Sequence, residues 1–201
     1  HIVKDTNLYE RVCQEVQAVQ KYKKDDEAFA ILELDRMVLL KSCFQEALRL
    51  YQGAFTVREA TNDFVFDPKK ANQHKYRIQK GTRVMAFMAT LHHDPELFPN
   101  PDTFRCDRFA PDANGDPPVF IKNGKRVAEP LRVFGGGLHL CPGRKFILYE
   151  TMAFVAILLT KFDMRLADDE AGKTVDMDYP MQGVGISHPD RDPAVEIKWK
   201  A

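Results

Sequence analysis

The chain has 201 residues, enough for one or at most two cores, and its 29 Lys and Arg balance 29 Asp and Glu, so no net field draws in a nucleic acid or an anionic membrane. The four cysteines (Cys13, Cys43, Cys106, Cys141) are far apart with no C-x-x-C pair, which argues against a disulfide framework or a four-cysteine zinc site and for a reducing compartment. The longest apolar run, MAFVAILL at 152–159, is too short to cross a bilayer, and a start at His1 without methionine or signal pattern reads as a piece of a longer chain.

In chain order, Leu8, Val12, Val16 and Val19 recur at helical spacing and predict an amphipathic helix over 6–23. A polar break, KKDDEA, separates it from a second helix over 35–51, with Met37, Leu40, Phe44, Ala47 and Leu48 on its apolar face and Gly53 past its end. Residues 55–89 turn to β-branched and aromatic types, with FTV at 55–57 and FVF at 64–66. YRI and VMAFMA flank Lys80-Gly81 and predict a hairpin over 76–89. From 92 to 130 the chain is loop-like and holds most of the prolines; a loop of that length is functional or a meander packed against a site. A strongly apolar helix over 144–161 follows, and the tail over 162–201 alternates short strands (GVGIS, VEIKW) with Gly and Pro turns. The fold class is mainly α with small antiparallel β-sheets.

The densest chemistry lies in FGGGLHLCPGRKFILYE at 134–150. Three glycines lead to one thiol just ahead of a helix, whose first-turn N–H groups have no intrahelical partner and whose dipole favours an anion. A thiolate forms more readily there, and Gly135, Gly136 and Gly137 let the backbone close on whatever the sulfur touches. A structural buried cysteine has no use for those glycines. Neither G-x-x-x-x-G-K-[ST] nor G-x-G-x-x-G is present, so a phosphate loop does not fit. A nucleophile would need a base, for which His139 is near in sequence. Zinc would need His139, Cys141 and two further ligands, of which His92 and His93 offer themselves. An axial thiolate to haem iron wants one solitary cysteine in a shielded loop. The local residues leave these readings open.

A second feature lies far upstream. Glu46 and Arg49 form E-x-x-R on the second helix, on one face and a single turn apart. H-x-D-P (His92, Asp94, Pro95), F-x-x-D-R-F (Phe104 to Phe109) and F-x-x-G-x-H-x-C-x-G (Phe134 to Gly143) follow in that order. The ordered set resembles the cytochrome P-450 superfamily over roughly residues 35–190, the C-terminal portion of that fold. The His-x-Cys-Pro-Gly-Arg pattern, FRCDRF and the NGK insertion at 123–125 look most like the branch of sterol 7-alpha-hydroxylases and prostacyclin synthase.

The resemblance implies that residues 1–201 form a partial haem-thiolate domain, with a meander at 92–130 and a haem loop at 134–143. Cys141 would be the axial thiolate and the iron's protein ligand, Phe134 would pack beside it, and Gly137 and Gly143 would permit the tight loop. Glu46, Arg49 and Arg108 would be the cluster that locks the meander to the core. His139, Arg58 and His92 would meet haem propionates; Ala54, Phe55 and Thr56, with Gly185 and Ile186, would contact substrate. The chain departs from the family pattern at four points: His139 replaces arginine, Val133 replaces proline, Ile147 replaces alanine, and Gly53 stands where a proline-rich turn is usual.

The implied cofactor is haem b, and the implied activity is insertion of one oxygen atom from O2 into an apolar, sterol- or lipid-like substrate. No nucleotide-binding motif is present, so a separate NADPH-cytochrome reductase is the implied electron donor. The full-length parent is expected at the cytoplasmic face of the endoplasmic reticulum membrane, with no membrane span in this chain. Two alternatives stand beside this: a haem-thiolate isomerase or dehydratase acting on a peroxide, and a non-catalytic fragment. The second arises because the helix at 6–23 lacks A-G-x-D/E-T-T, so the oxygen-activating helix, the distal half of the pocket and an anchor are expected upstream of His1.

Overall fold

In the computed structural model the described residues are 1–22, 27–53, 55–68, 74–170, 173, 175 and 189–200. Helix α1 spans Thr6–Gln20. The Asp5 side chain accepts the Leu8 N–H at 3.0 Å and opens it, as an N-cap does. It stops at Gln20 rather than at 23 because no apolar residue follows Val19 on the buried face; Tyr22 is exposed. A short turn of helix, α2 (Ile31–Leu34), precedes α3 (Val38–Tyr51). The second helix therefore begins three residues later than its periodicity predicts. Glu15 of α1 sets that start: its carboxylate accepts the N–H groups of Leu39 and Leu40 at 2.8 and 2.9 Å, which would otherwise be unpaired in the first turn of α3. Burial raises the Glu15 pKa, and those backbone donors oppose the rise.

Four strands follow: β1 (Phe55–Glu59), β2 (Phe64–Phe66), β3 (Tyr76–Ile78) and β4 (Arg83–Phe87). Their pairing corrects the expected 76–89 hairpin. β3 pairs antiparallel with β2 (Phe64 opposite Ile78), and β4 pairs antiparallel with β1 (Phe55 opposite Phe87, Arg58 opposite Val84). Lys80-Gly81 is a corner between two nested ribbons, not a hairpin tip. Gly81 (φ 83°) makes that corner, donating its N–H to the Ala60 carbonyl, while Ala60 N–H reaches Thr82 O.

Helix α4 (Met88–His92) enters the meander. Within the meander the NGK segment forms a ribbon, β5 (Ile121–Lys122) with β6 (Lys125–Arg126). Asn123 (φ 51°) and Gly124 (φ 68°) form its two-residue tip, the left-handed pair that suits a tight hairpin. Lys122 binds Asp94 and the Asn123 N–H binds Glu96, so the insertion is fastened to the turn after α4. Helix α5 (Arg144–Lys161) and the ribbon β7 (Phe162–Leu166) with β8 (Val195–Trp199) complete the described chain.

The core lies where α1, α3 and α5 meet: Val12, Val16, Met37, Leu40, Met152, Ala156 and Leu159 are essentially without solvent exposure. Helix α5 is apolar on two sides. Met152, Ala156 and Leu159 face this core, whereas Phe146, Ile147, Phe154 and Ile157 form an exposed stripe. This is the expected mixture of helices and small antiparallel sheets.

Candidate functional site

Glu46 and Arg49 sit one turn apart on α3, both fully buried. Arg49 Nε and Nη2 donate to the two Glu46 oxygens at 2.8 and 2.9 Å, the bidentate geometry that suits guanidinium and carboxylate. Its remaining Nη1 donates to the His92 carbonyl at 2.7 Å, and its guanidinium lies 5.3 Å from the Phe98 ring centroid. From the meander, Arg108 Nε donates to both Glu46 oxygens at 2.9 Å, and Arg105 N–H adds a bond of 3.0 Å to Oε1. Arg108 directs its other donors to the carbonyls of Pro99 (2.8 Å), Asn100 and Thr103 (3.2 Å each). Burial lowers the Arg108 pKa while Glu46 raises it. The three residues expected from sequence are thus one assembled cluster.

His92 is placed with this cluster. Its ring has no exposed surface, so it cannot meet a propionate at the surface, which corrects the role expected of it. Nε2 accepts the Arg132 N–H at 3.0 Å, which puts the proton on the buried, unpartnered Nδ1. Burial first, then the neighbouring Arg49 charge, lowers its pKa to about 4, so the ring is neutral near pH 7. Sequence reasoning missed Ser42, one turn before Glu46 on the same helix face; its hydroxyl oxygen accepts the Phe109 N–H at 3.0 Å. A small polar residue in the middle of an apolar face was the available signal.

The cysteine loop follows. Gly135 and Gly137 have φ of 77° and 61°, conformations that favour glycine. Residues Gly137–His139 make one turn of 3-10 helix, and Cys141 stands just before Gly143, the N-cap of α5. The peptide groups of Cys141 are held on both sides: its N–H donates to Phe134 O at 3.0 Å, and its carbonyl accepts Arg144 Nη1 at 3.0 Å. Its thiol is half-buried and free. Leu138, Leu140, Phe146 and Ile147 near it in sequence are exposed, as is His139. Arg58, on β1, is exposed and donates to the Val57 carbonyl at 2.8 Å. Phe55 and Thr56 are half-buried on the same strand. Ala54, Gly185 and Ile186 lie outside the described residues.

These residues fit a haem group. No group of three or more His, Cys, Asp or Glu is positioned for a metal among the described residues, so the four-ligand zinc alternative is not assembled there. What remains is a single soft donor, and a Cβ at Gly143 would stand 3.9 Å from its sulfur, filling space that glycine leaves open. One thiol, with exposed leucine and phenylalanine residues near it in sequence, suits a flat, apolar macrocycle carrying its own iron ligands.

Known proteins resemble the chain over most of its length. The family model described as cytochrome P-450 matches residues 1–190. A rat 25-hydroxycholesterol 7-alpha-hydroxylase is 36% identical over 169 residues, 84% of this chain and 39% of that protein. Rat prostacyclin synthase is 29% identical over 168 residues, 83% of this chain and 32% of that protein. The solved structure "Retinoic acid bound cyanobacterial CYP120A1" superposes with a TM-score of 0.67 at 25% identity, covering 96% of this chain and 39% of that one. The chain therefore spans about two-fifths or less of the length of these relatives. Among the relatives it resembles are a sterol 7-alpha-hydroxylase and a prostacyclin synthase, and the ordered motifs, the buried Glu-Arg-Arg cluster and the family match across nearly the whole chain lead to one conclusion: the chain belongs to the cytochrome P-450 family, whose cofactor is haem.

Proposed function

We propose that Cys141 is the axial thiolate of the haem and that the full-length protein is a monooxygenase acting on a sterol-like apolar substrate. The observation that carries this is the solitary, half-buried Cys141 thiol, its N–H and carbonyl both fixed, in a glycine turn that leaves room beside the sulfur. Thiolate-ligated haem supplies O2 activation: one oxygen atom enters a C–H bond, and two external electrons with two protons convert the other to water.

The chain's own residues bind and orient. Phe134 and Arg144 hold the backbone that carries the Cys141 side chain. Exposed Arg58 and His139 offer cationic or hydrogen-bonding partners for propionates, and Phe55 and Thr56 offer contacts to substrate. The Glu46 cluster acts at a distance, by holding the meander in place. The sterol preference rests on the 36% identity to a hydroxycholesterol hydroxylase. The electron donor in this reading is an NADPH-cytochrome reductase, and the parent protein works at the cytoplasmic face of the endoplasmic reticulum membrane. Among the described residues no helix is long and apolar enough to cross a membrane.

Reduced full-length protein under carbon monoxide should show the long-wavelength Soret band of thiolate ligation, and Cys141→Ser should lose it while staying folded. An unchanged band in that variant would sink the ligand assignment. Similarity to prostacyclin synthase favours a second reading, isomerisation of a peroxide without external electrons. Substrate-dependent NADPH consumption with reductase present separates them: the monooxygenase consumes it and the isomerase does not.

A further inference from the structure

A cavity of about 510 Å³ opens between α3, the chain from Pro117 to Phe134 and the first turn of α5, a size that takes a small molecule. Its floor is apolar. Phe44, Leu48, Phe109, Phe120, Phe134 and Leu148 line it half-buried, and the Phe109 and Phe120 rings pack with 5.5 Å between centroids. Its rim is cationic. Arg126, Arg144 and Lys145 stand against one carboxylate, Glu129, which Arg132 already neutralises at 2.7 Å. Arg126 and Lys145 are exposed and form no ion pair among the described residues. Arg144 and Lys145 also occupy the first turn of α5, where the helix dipole disfavours cations, and no acidic residue shares that turn.

The other large cavity, about 660 Å³, shows the contrast. It is lined mostly by apolar residues such as Leu40, Val155 and Ile197; Lys4 also lines it, while Glu170 holds both Lys173 and Arg191. At the first cavity, the nearby Asp35 carboxylate, which Lys145 also feels, is already held by Lys41 and the Tyr149 hydroxyl, so cations outnumber carboxylates at that rim. An apolar floor beneath such an excess of cations is complementary to an anionic head on an apolar tail.

We propose that the groove beside Phe134 binds a single-tailed anionic amphiphile, a fatty carboxylate or alkyl sulfate, with its head on Arg126 and Lys145 and its tail on the phenylalanine floor. The site reaches the cysteine loop directly. Phe134 and Arg144, which hold the two peptide groups of Cys141, both line it. The proposal does not depend on the identity of the sulfur's iron partner.

The test uses full-length protein and a diazirine-bearing dodecanoate below its micellar concentration, with the cross-linked peptides mapped. Label is expected on peptides covering 117–134 or 144–148, displaced by dodecanoate and dodecyl sulfate but not by dodecanol. Arg126→Glu with Lys145→Glu should cut that label at least ten-fold at an unchanged thermal midpoint. If the reversal alters folding, the milder Arg126→Gln with Lys145→Gln should still lower it several-fold. Label only at other peptides, equal displacement by dodecanol, or full label in both double variants would each overturn the proposal. So would displacement by an acidic protein partner alone, which would make the groove a macromolecular docking face instead.

Discussion

Glu46 carries one negative charge between two guanidinium groups and has no solvent-exposed surface. Taking a charge out of water is costly, and the cluster is stable only because its oxygens are met by four donors: two N–H groups of Arg49, the Arg108 Nε–H shared between both oxygens, and the Arg105 amide. Glu46→Gln removes the countercharge and leaves two cations buried together. The expected loss is about 3–5 kcal/mol, typical of breaking a buried pair by deleting one member. Urea unfolding of the full-length protein measures it, and a loss under about 1 kcal/mol, the scale of an exposed pair, would show the cluster to be solvated.

His92 gives a pH signature of the opposite kind from an ion-paired histidine, whose pKa would be raised. Its folded pKa of about 4 lies below the ordinary 6.5, so the unfolded chain takes up the proton first. Stability is therefore full above about 6.5 and falls as pH drops toward 4. Glu15, whose pKa is raised by burial, works in the other direction, gaining relative stability as it protonates. Comparison with His92→Gln isolates the histidine: the variant's unfolding midpoint should change less between pH 7 and pH 5 than that of the parent.

At the scale of elements, glycines in one loop should separate by conformation. Gly137 has φ 61° with open space where a methyl group would project, so Gly137→Ala costs backbone strain alone, about 1–2 kcal/mol. Gly136 is extended, and a Cβ there would meet only the end of the flexible Arg132 side chain at 3.1 Å. Gly136→Ala should therefore be the milder change; thermal midpoints of the two variants, with haem retention after gel filtration, check the order. Helices α1, α3 and α5 and the E-x-x-R face were legible because periodicity and i,i+3 spacing are local properties. The nested ribbons were not, since YRI and RVMAF look alike as partners until Ala60 takes the Gly81 amide. The Glu15 and Ser42 bonds to distant amides leave no periodic trace, because a side-chain acceptor bonding across 24 to 67 residues obeys no spacing rule.

For the whole molecule, the two-sided character of α5 matters most. A helix apolar all round belongs in an interior, yet its Phe146, Ile147, Phe154 and Ile157 stripe faces outward here. The β1–β4 ribbon likewise exposes Val57, Val84, Met85 and Phe87. Residues 1–201 alone are expected to self-associate and bind a hydrophobic dye, while a full-length form should do neither; sedimentation velocity and dye fluorescence distinguish them. The order of the motifs along the chain was enough to indicate the family, but position in space was needed to see that His92 is a core residue and that Cys141 has its peptide groups held on both sides.

The meander offers one more consequence, in the language of amide exchange. Its Arg105 and Phe109 N–H groups bond neither to a strand nor to a helix but to Glu46 and Ser42 side chains of α3. Their deuterium uptake should therefore report on side chains, and Ser42→Ala should speed exchange at Phe109 while leaving α3's own amides slow. In the intact protein both amides should open together, as a clasp released by a single event at Glu46 and not by fraying from either end.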